Sequence, residues 1–200
     1  MQLQNENMDC RFIANKIIIE YNKTKTKNSL GLTISRLGKL VLLVEIAYMQ
    51  RYRNALIRDN YRNNEQGHGL YIDSILCSYD YWKLMPVKIP QKFSINFQET
   101  FYSQQEIEQL IGDKLNSKID EIINYIVEIT NKTDTVDLRE MLRLDEYINI
   151  PDTMRLASIV TDKVKCVLRR IYVVPKYLIY QAYQDFDFEN LEQFNNLQTL

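Results

Sequence analysis

Histidine, the residue type most often used for general acid–base catalysis, is scarce in this chain. His68 is its one histidine and lies between Gly67 and Gly69 in a polar segment, so a loop histidine without a catalytic role is the simplest interpretation. The two glycines lack the apolar strand and the Lys-Ser/Thr signature of a phosphate-binding loop. No His/Cys cluster has metal-ligand spacing, and no pair of carboxylates stands out. The sequence therefore predicts a protein that is not an enzyme and needs no cofactor.

The three cysteines, Cys10, Cys77 and Cys166, are odd in number and far apart. Such spacing fits neither a disulfide framework nor a zinc site, and reduced, buried thiols in a cytosolic compartment explain it most simply. Residues 1–7 are polar and are not a basic stretch followed by an apolar run, which predicts no signal peptide. The apolar runs are far shorter than the roughly 20 residues of a membrane helix. We therefore expect a cytoplasmic protein with no membrane partner.

Glu45 is the carboxylate that stands out, because it lies in the middle of an apolar segment between Val41 and Met49. Removing a charge from water is costly, so Glu45 should find a hydrogen-bond donor or stay protonated. We expect it at the edge of the core, hydrogen-bonded to a tyrosine or an arginine.

Two groups of basic residues could form contact surfaces. The first contains Arg51, Tyr52, Arg53, Arg58, Tyr61 and Arg62, and the second contains Lys163, Lys165, Arg169 and Arg170. Arginine next to tyrosine suits phosphate binding and base stacking, but the same mixture is common at protein interfaces. A net charge of −1 supplies no overall attraction to nucleic acid, which favours a protein partner. Ordinary solvated faces are the other interpretation.

The elements that must position these residues are predicted to be mainly helical. An apolar fraction of 46% supports a core, and the low counts of 5 Gly and 4 Pro favour long regular segments. Apolar residues spaced three and four apart predict helices after Asp9, after Thr33, over 119–129 and around Leu138.

The remaining elements are one strand and one long helix. Phe93, Ile95 and Phe97 alternate with polar residues and predict a strand. The apolar stripe from Leu156 to Ile171 predicts the longest amphipathic helix. The expected fold class is α+β, predominantly α: a helical domain with a small β element and a long C-terminal amphipathic helix. We expect residues 1–150 to form the domain and residues 151–200 an extension that packs on the same core or at an interface.

Three segments resemble the landmarks of Panacea domains. Residues 32–43, Leu-Thr-Ile-Ser-Arg-Leu-Gly-Lys-Leu-Val-Leu-Leu, resemble the opening signature. Residues 81–87, Tyr-Trp-Lys-Leu-Met-Pro-Val, resemble the second landmark, Ala-Trp-x-Tyr-Gly-Pro-Val. The helix, polar turn and helix over 119–144 are similar to the third. The sequence departs from the family at Gly38, where Gln is usual, and at Leu84-Met85, where Tyr-Gly is usual.

The resemblance spans about residues 9–150 and implies an antitoxin, a direct binder that blocks a toxin encoded beside it, often on phages or other mobile elements. Tyr81 and Trp82 would then be structural or lie near the contact surface. We therefore expect sequestration of a partner protein. The alternatives are a phage-borne inhibitor of a host defence complex of the CRISPR type and a nucleic-acid-binding repressor that uses the Arg51–Arg62 cluster. Pairing of two copies through the C-terminal helix stays open.

Overall fold

The computed structural model describes residue 8 and residues 10–24, 30–57, 61–64, 69–72, 113–142, 157–161, 166–174 and 176–197. The helices in these residues are α1 (Cys10–Thr24), α2 (Ile34–Tyr52), α3 (Asp113–Thr130), α4 (Thr135–Met141), α5 (Lys176–Tyr183) and α6 (Phe188–Leu197). The strands are β1 (Tyr61–Asn64), β2 (Gly69–Ile72), β3 (Ala157–Thr161) and β4 (Cys166–Val174). Helix accounts for most of the described residues, which confirms the predominantly helical class.

Helix α2 is buried along most of its length. It begins after Thr33, whose side-chain oxygen accepts a hydrogen bond from the backbone N–H of Arg36 at 3.1 Å and so caps the first turn. Its predicted apolar stripe is buried, and so are Leu42, Leu43 and Ile46 on its other sides. A helix that is apolar all round must lie inside the fold, and the helix predicted after Thr33 is confirmed as its central element.

Helices α1 and α3 pack against α2 and against each other. Helix α1 buries Ile13, Ile17 and Tyr21, which are four residues apart and therefore share one face. The buried residues of α3 are Ile119, Ile122, Ile123, Ile126, Val127 and Ile129. The predicted helices in these regions are confirmed. Full burial of an isoleucine stabilises a fold by about 1.5–3 kcal/mol, so this three-helix packing is a main source of stability.

Helix α4 is a short helix held by a strong cap. Asp134 precedes it, and its Oδ1 accepts hydrogen bonds from the backbone N–H groups of Val136 at 2.7 Å and Asp137 at 2.8 Å. A carboxylate at this position satisfies amide groups that have no partner within the helix and also opposes the positive end of its dipole. Leu138 then points into the core, where its side chain is fully buried, as the sequence predicts.

The long helix predicted over residues 156–171 is wrong. The structure has β3 and β4 there, paired antiparallel with Ile159 opposite Leu168 and Thr161 opposite Cys166. The apolar residues of this region are mostly β-branched, which lowers helix propensity and suits a pleated sheet. Helical spacing alone could not separate the two outcomes, because it does not show that β4 also pairs with β1, about 110 positions earlier in the sequence, where Tyr61 lies opposite Val174.

The four strands form one sheet in the order β2-β1-β4-β3. The central pair is antiparallel, with Tyr61 opposite Val174, and both of these side chains are buried in the helical core. Strand β1 includes Asn63 and Asn64. The strand predicted at Phe93–Phe97 lies outside the described residues.

Helices α5 and α6 return to the helical core. Ile179 and Tyr183 of α5 and Leu191 of α6 are buried in the same cluster as α1, α2 and α3. Gln50 of α2 holds the end of α5, because its Nε2 donates to the carbonyl of Tyr183 at 2.9 Å. None of the helices in the described part of the chain is long and apolar enough to cross a membrane.

Candidate partner-binding surface

The C-terminal end of α2 presents the predicted Arg51, Tyr52 and Arg53 side by side. Arg51 and Tyr52 form the last turn, and Arg53 closes the helix in a left-handed conformation with φ 56° and ψ 32°. Its backbone N–H donates to the carbonyl of Met49 at 2.9 Å, the bond that commonly ends a helix with a left-handed residue. Both arginine side chains are exposed, whereas Tyr52 is half-buried.

Arg53 connects this end of α2 to α5. Its Nη1 donates to the hydroxyl of Tyr180 at 2.6 Å, and its guanidinium carbon lies 6.0 Å from the centre of the Tyr180 ring. Tyr177 lies three residues earlier and therefore on the same side of α5, and 61% of its surface is exposed. Two tyrosines thus extend the basic end of α2 across the neighbouring helix.

Arg51 and Tyr52 connect the same end of α2 to α3. Arg51 Nη1 donates to Glu121 Oε1 at 2.7 Å, although the two side chains are 50% and 60% exposed. The Tyr52 ring carries two cations, with the Arg51 guanidinium carbon at 5.7 Å and Lys118 Nζ at 4.7 Å from its centre. Because an exposed ion pair contributes only about 0–1 kcal/mol, these contacts order the surface more than they stabilise the fold.

We call this group of side chains the α2-end surface. It comprises Arg51, Tyr52, Arg53, Lys118, Glu121, Tyr177 and Tyr180. Three cations face one carboxylate, among three tyrosine rings that offer both flat apolar area and a hydroxyl. Such a surface suits acidic and aromatic side chains of a protein, since arginine and tyrosine are the residues most enriched at protein interfaces.

The other predicted contact residues are divided between β4 and segments that the structure does not describe. Arg58, Tyr81 and Trp82 lie outside the described residues. Arg169 and Arg170 lie on β4, opposite Ser158 and Ala157 of β3, and not on a helix as predicted.

The sequence reasoning also missed four members of the surface: Lys118, Glu121, Tyr177 and Tyr180. Lys118 and Glu121 occupy polar positions beside the isoleucine stripe of α3, and the two tyrosines are three apart after Pro175. Each pattern signals an exposed helix face, but neither indicates which helix it meets.

Glu45 is fully buried, and its partners differ from the expected ones. Its Oε2 accepts hydrogen bonds from the backbone N–H groups of Leu56 at 3.2 Å and Ile57 at 2.9 Å, and its Oε1 accepts one from Lys176 Nζ at 3.3 Å. The predicted tyrosine or arginine partner is therefore wrong. Burial raises the pKa of Glu45, while the charge of Lys176 and the amide hydrogen bonds oppose that shift.

Three basic side chains that belong to α1 and α2 are also buried: Lys16, Arg36 and Lys39. Lys16 is paired with Asp120 of α3, and Arg36 donates from Nη1 and Nη2 to the carbonyls of Thr133 and Thr130 at the end of α3. Burial and, to a smaller extent, the positive charge of Arg139 together lower the pKa of Lys39 to about 8. A guanidinium at the carbonyl end of a helix meets the negative end of its dipole, which is a structural role.

The described residues contain no group of three or more His, Cys, Asp or Glu side chains arranged to hold a metal ion. Cys10 is buried in the core and does not form a disulfide. His68 and Cys77 lie outside the described residues. Comparisons with protein-family models, with curated proteins and with solved structures found no match.

Proposed function

We propose that this protein is a non-catalytic binder that sequesters a partner protein, in the manner of an antitoxin, and that the α2-end surface contacts that partner. The observation that carries the proposal is the convergence of arginine, lysine and tyrosine side chains, exposed or half-buried, from three helices on one surface. Their mutual contacts are solvent-exposed and stabilise the fold little. Residues of this kind are then available for a partner.

The chemistry of the surface defines the partner segment it suits. Arginine presents a planar fork that binds a carboxylate through two parallel hydrogen bonds, and its contact with Tyr180 engages only Nη1 of Arg53. Tyrosine adds flat contact area at a low cost in side-chain entropy. The partner segment therefore carries carboxylates beside apolar or aromatic groups.

The same proposal includes the organisation of the chain as one α+β binding domain, in which residues 151–200 extend the domain of residues 1–150. Supporting this, Ile179, Tyr183 and Leu191 share a core with α1, α2 and α3. The toxin-neutralising role follows from the resemblance to Panacea domains. An inhibitor of a defence complex would use the same surface on a different target.

Arg53→Gly is the variant that tests the surface without harming the fold. Glycine adopts a φ of 56° without strain, so the substitution removes the side chain and keeps the helix end. Arg139→Ala is the matched control. It removes a guanidinium from α4. The charge of that guanidinium acts on Lys39, which lies about 18 Å along α2 from Arg51, so Arg139 is remote from the α2-end surface.

The experiment is copurification of tagged wild-type and variant chains from cells that carry the native gene neighbourhood, with mass identification of stoichiometric companions. We expect one protein companion for the wild type and Arg139→Ala, and affinity reduced by about 30-fold for Arg53→Gly, as for an interface hot spot of 2 kcal/mol. Equal binding by Arg53→Gly contradicts the assignment of the surface. Retention of nucleic acid that is lost at high salt instead supports the repressor alternative.

A further inference from the structure

One side of α3 lies between a basic cluster and an acidic cluster. Lys118, Glu121 and Tyr125 follow at intervals of three and four residues beside the buried isoleucine stripe and therefore share this side. We call these three residues and their neighbours from other helices the α3 face. Lys118 and Tyr125 are seven residues apart, which corresponds to about 10 Å along the helix.

The end of the α3 face near Lys118 is basic. Lys118 lies over the Tyr52 ring, Arg51 is paired with Glu121, and Arg53 follows at the end of α2. Three cations against one carboxylate leave this end positive.

The end of the α3 face near Tyr125 is acidic and aromatic. Tyr125 is 37% exposed, and its ring centre lies 6.3 Å from that of Phe188, which contacts Phe186 at 4.9 Å. The exposed carboxylates around it belong to Asp187, Glu189 and Glu192. Partial burial raises the pKa of Tyr125, and the negative charges of Glu192, Glu189 and Asp187 raise it further, which places all three near the ring.

We propose that the α3 face pairs with the same face of a second copy of this chain, in an antiparallel arrangement about a two-fold axis. In a two-fold interface one patch meets itself in reverse, so a patch with a positive and a negative end is complementary to its own copy. The two Tyr125 rings then supply apolar contact, and each basic end meets the other copy's acidic end. A parallel arrangement would instead set like charges against each other.

The charges on the α3 face favour a second copy over other occupants. Nucleic acid and anionic membranes would meet the basic end but be repelled by Asp187, Glu189 and Glu192. Another protein would need a basic cluster and an acidic cluster about 10 Å apart in the reverse order, whereas a second copy of this chain already carries both. A net charge of −1 leaves little overall repulsion between copies. The inference does not rest on the proposed function, but both use Arg51, Arg53 and Lys118, so a second copy and a partner protein would compete for the basic end.

The test uses charge reversal in two variants of the full chain, Lys118→Glu and Glu192→Lys. In a dimer of either variant alone, like charges meet at both ends. In an equimolar mixture of the two, both ends of a mixed dimer carry opposite charges. The matched control is Lys23→Glu, which reverses an exposed lysine on α1. Circular dichroism first establishes that each variant is folded.

Sedimentation velocity over a concentration series measures assembly. We expect a dimer for the wild type and Lys23→Glu, dissociation constants raised about tenfold or more for each single variant, and recovery of the dimer in the mixture. A monomeric wild type at every soluble concentration overturns the proposal, as do single variants that dimerise normally. A series of growing assemblies would instead show head-to-tail association and also overturn two-fold pairing. If a reversed variant does not fold, Lys118→Gln and Glu192→Gln replace the pair, and unchanged dimerisation of both would overturn the proposal.

Discussion

Lys176, the first residue of α5, donates a hydrogen bond at 3.3 Å to the fully buried carboxylate of Glu45 in the middle of α2, across 131 positions of sequence. The other carboxylate oxygen accepts from the amides of Leu56 and Ile57. Ile57 in turn forms a β-bridge with Met8. One carboxylate therefore fixes the start of α5 and the segment after α2, and through that segment the position of Met8.

Removing either partner of this contact is expected to destabilise the fold. Lys176→Met leaves Glu45 buried without its cation, and we expect the free energy of unfolding to fall by about 2 kcal/mol, less than for a wholly buried pair because Lys176 is partly exposed. Glu45→Gln is expected to cost a similar amount. In the double variant the loss should be smaller than the sum of the two, since the two residues act on each other. Urea unfolding of the four proteins followed by circular dichroism measures this, and additive losses would contradict the coupling.

The same contact gives a pH dependence whose sign is fixed by burial. The folded-state pKa of Glu45 is raised above its ordinary value of 4.5, so the folded chain holds that proton more tightly than the unfolded chain. The contribution of Glu45 to the unfolding free energy is therefore fully present below about pH 4.5 and is lost as the pH rises through the folded-state pKa. We expect the stability of the wild type relative to Glu45→Gln to decrease with rising pH across that window, as measured by urea unfolding. An increase would show that the hydrogen bonds outweigh burial.

Lys39 is expected to reduce stability at neutral pH. Its pKa falls from 10.5 in the unfolded chain to about 8 in the folded one, which corresponds to a cost of about 3 kcal/mol when both states are charged. Because the unfolded chain holds more protons between pH 8 and 10.5, the unfolding free energy rises with pH across that window. Lys39→Met should raise the unfolding free energy at pH 7 by about 1–3 kcal/mol and abolish this rise.

The control for Lys39 is Lys16, a second buried lysine on the same core. Lys16 is paired with Asp120, whose side chain is 41% exposed, so Lys16→Met leaves that carboxylate in contact with water and should change the unfolding free energy by no more than about 1 kcal/mol. Thermal and urea unfolding of both variants across the pH range separate the two cases. Equal effects of the two substitutions would contradict the larger cost assigned to the burial of Lys39.

The sequence predicts much of the helical core but not its long-range contacts. The stripe of α2 and the isoleucine stripe of α3 are local patterns whose periodicity is set by the helix itself, and both predictions are confirmed. The region of Ile159 and Val167 also has helical spacing, yet it forms a hairpin of two strands, because its β-branched residues suit a sheet and its second strand also pairs with the distant β1. Likewise, Arg53 was predicted as a contact residue, but its neighbour Tyr180 lies 127 positions away, and no local pattern specifies that neighbour.

The last prediction concerns Arg53, because its left-handed backbone conformation allows the side chain's effect on binding to be measured apart from its effect on stability. A side chain at φ 56° crowds the following carbonyl oxygen at a cost of about 1–2 kcal/mol, which glycine does not incur. Arg53→Ala loses the contact with Tyr180 and keeps the strain, whereas Arg53→Gly loses the contact and relieves it. We expect Arg53→Gly to exceed Arg53→Ala in unfolding free energy by about 1 kcal/mol, measured by urea unfolding. Equal stabilities would show that the end of α2 relaxes, whereas the expected difference makes the glycine variant a folded reference for every binding measurement at this surface.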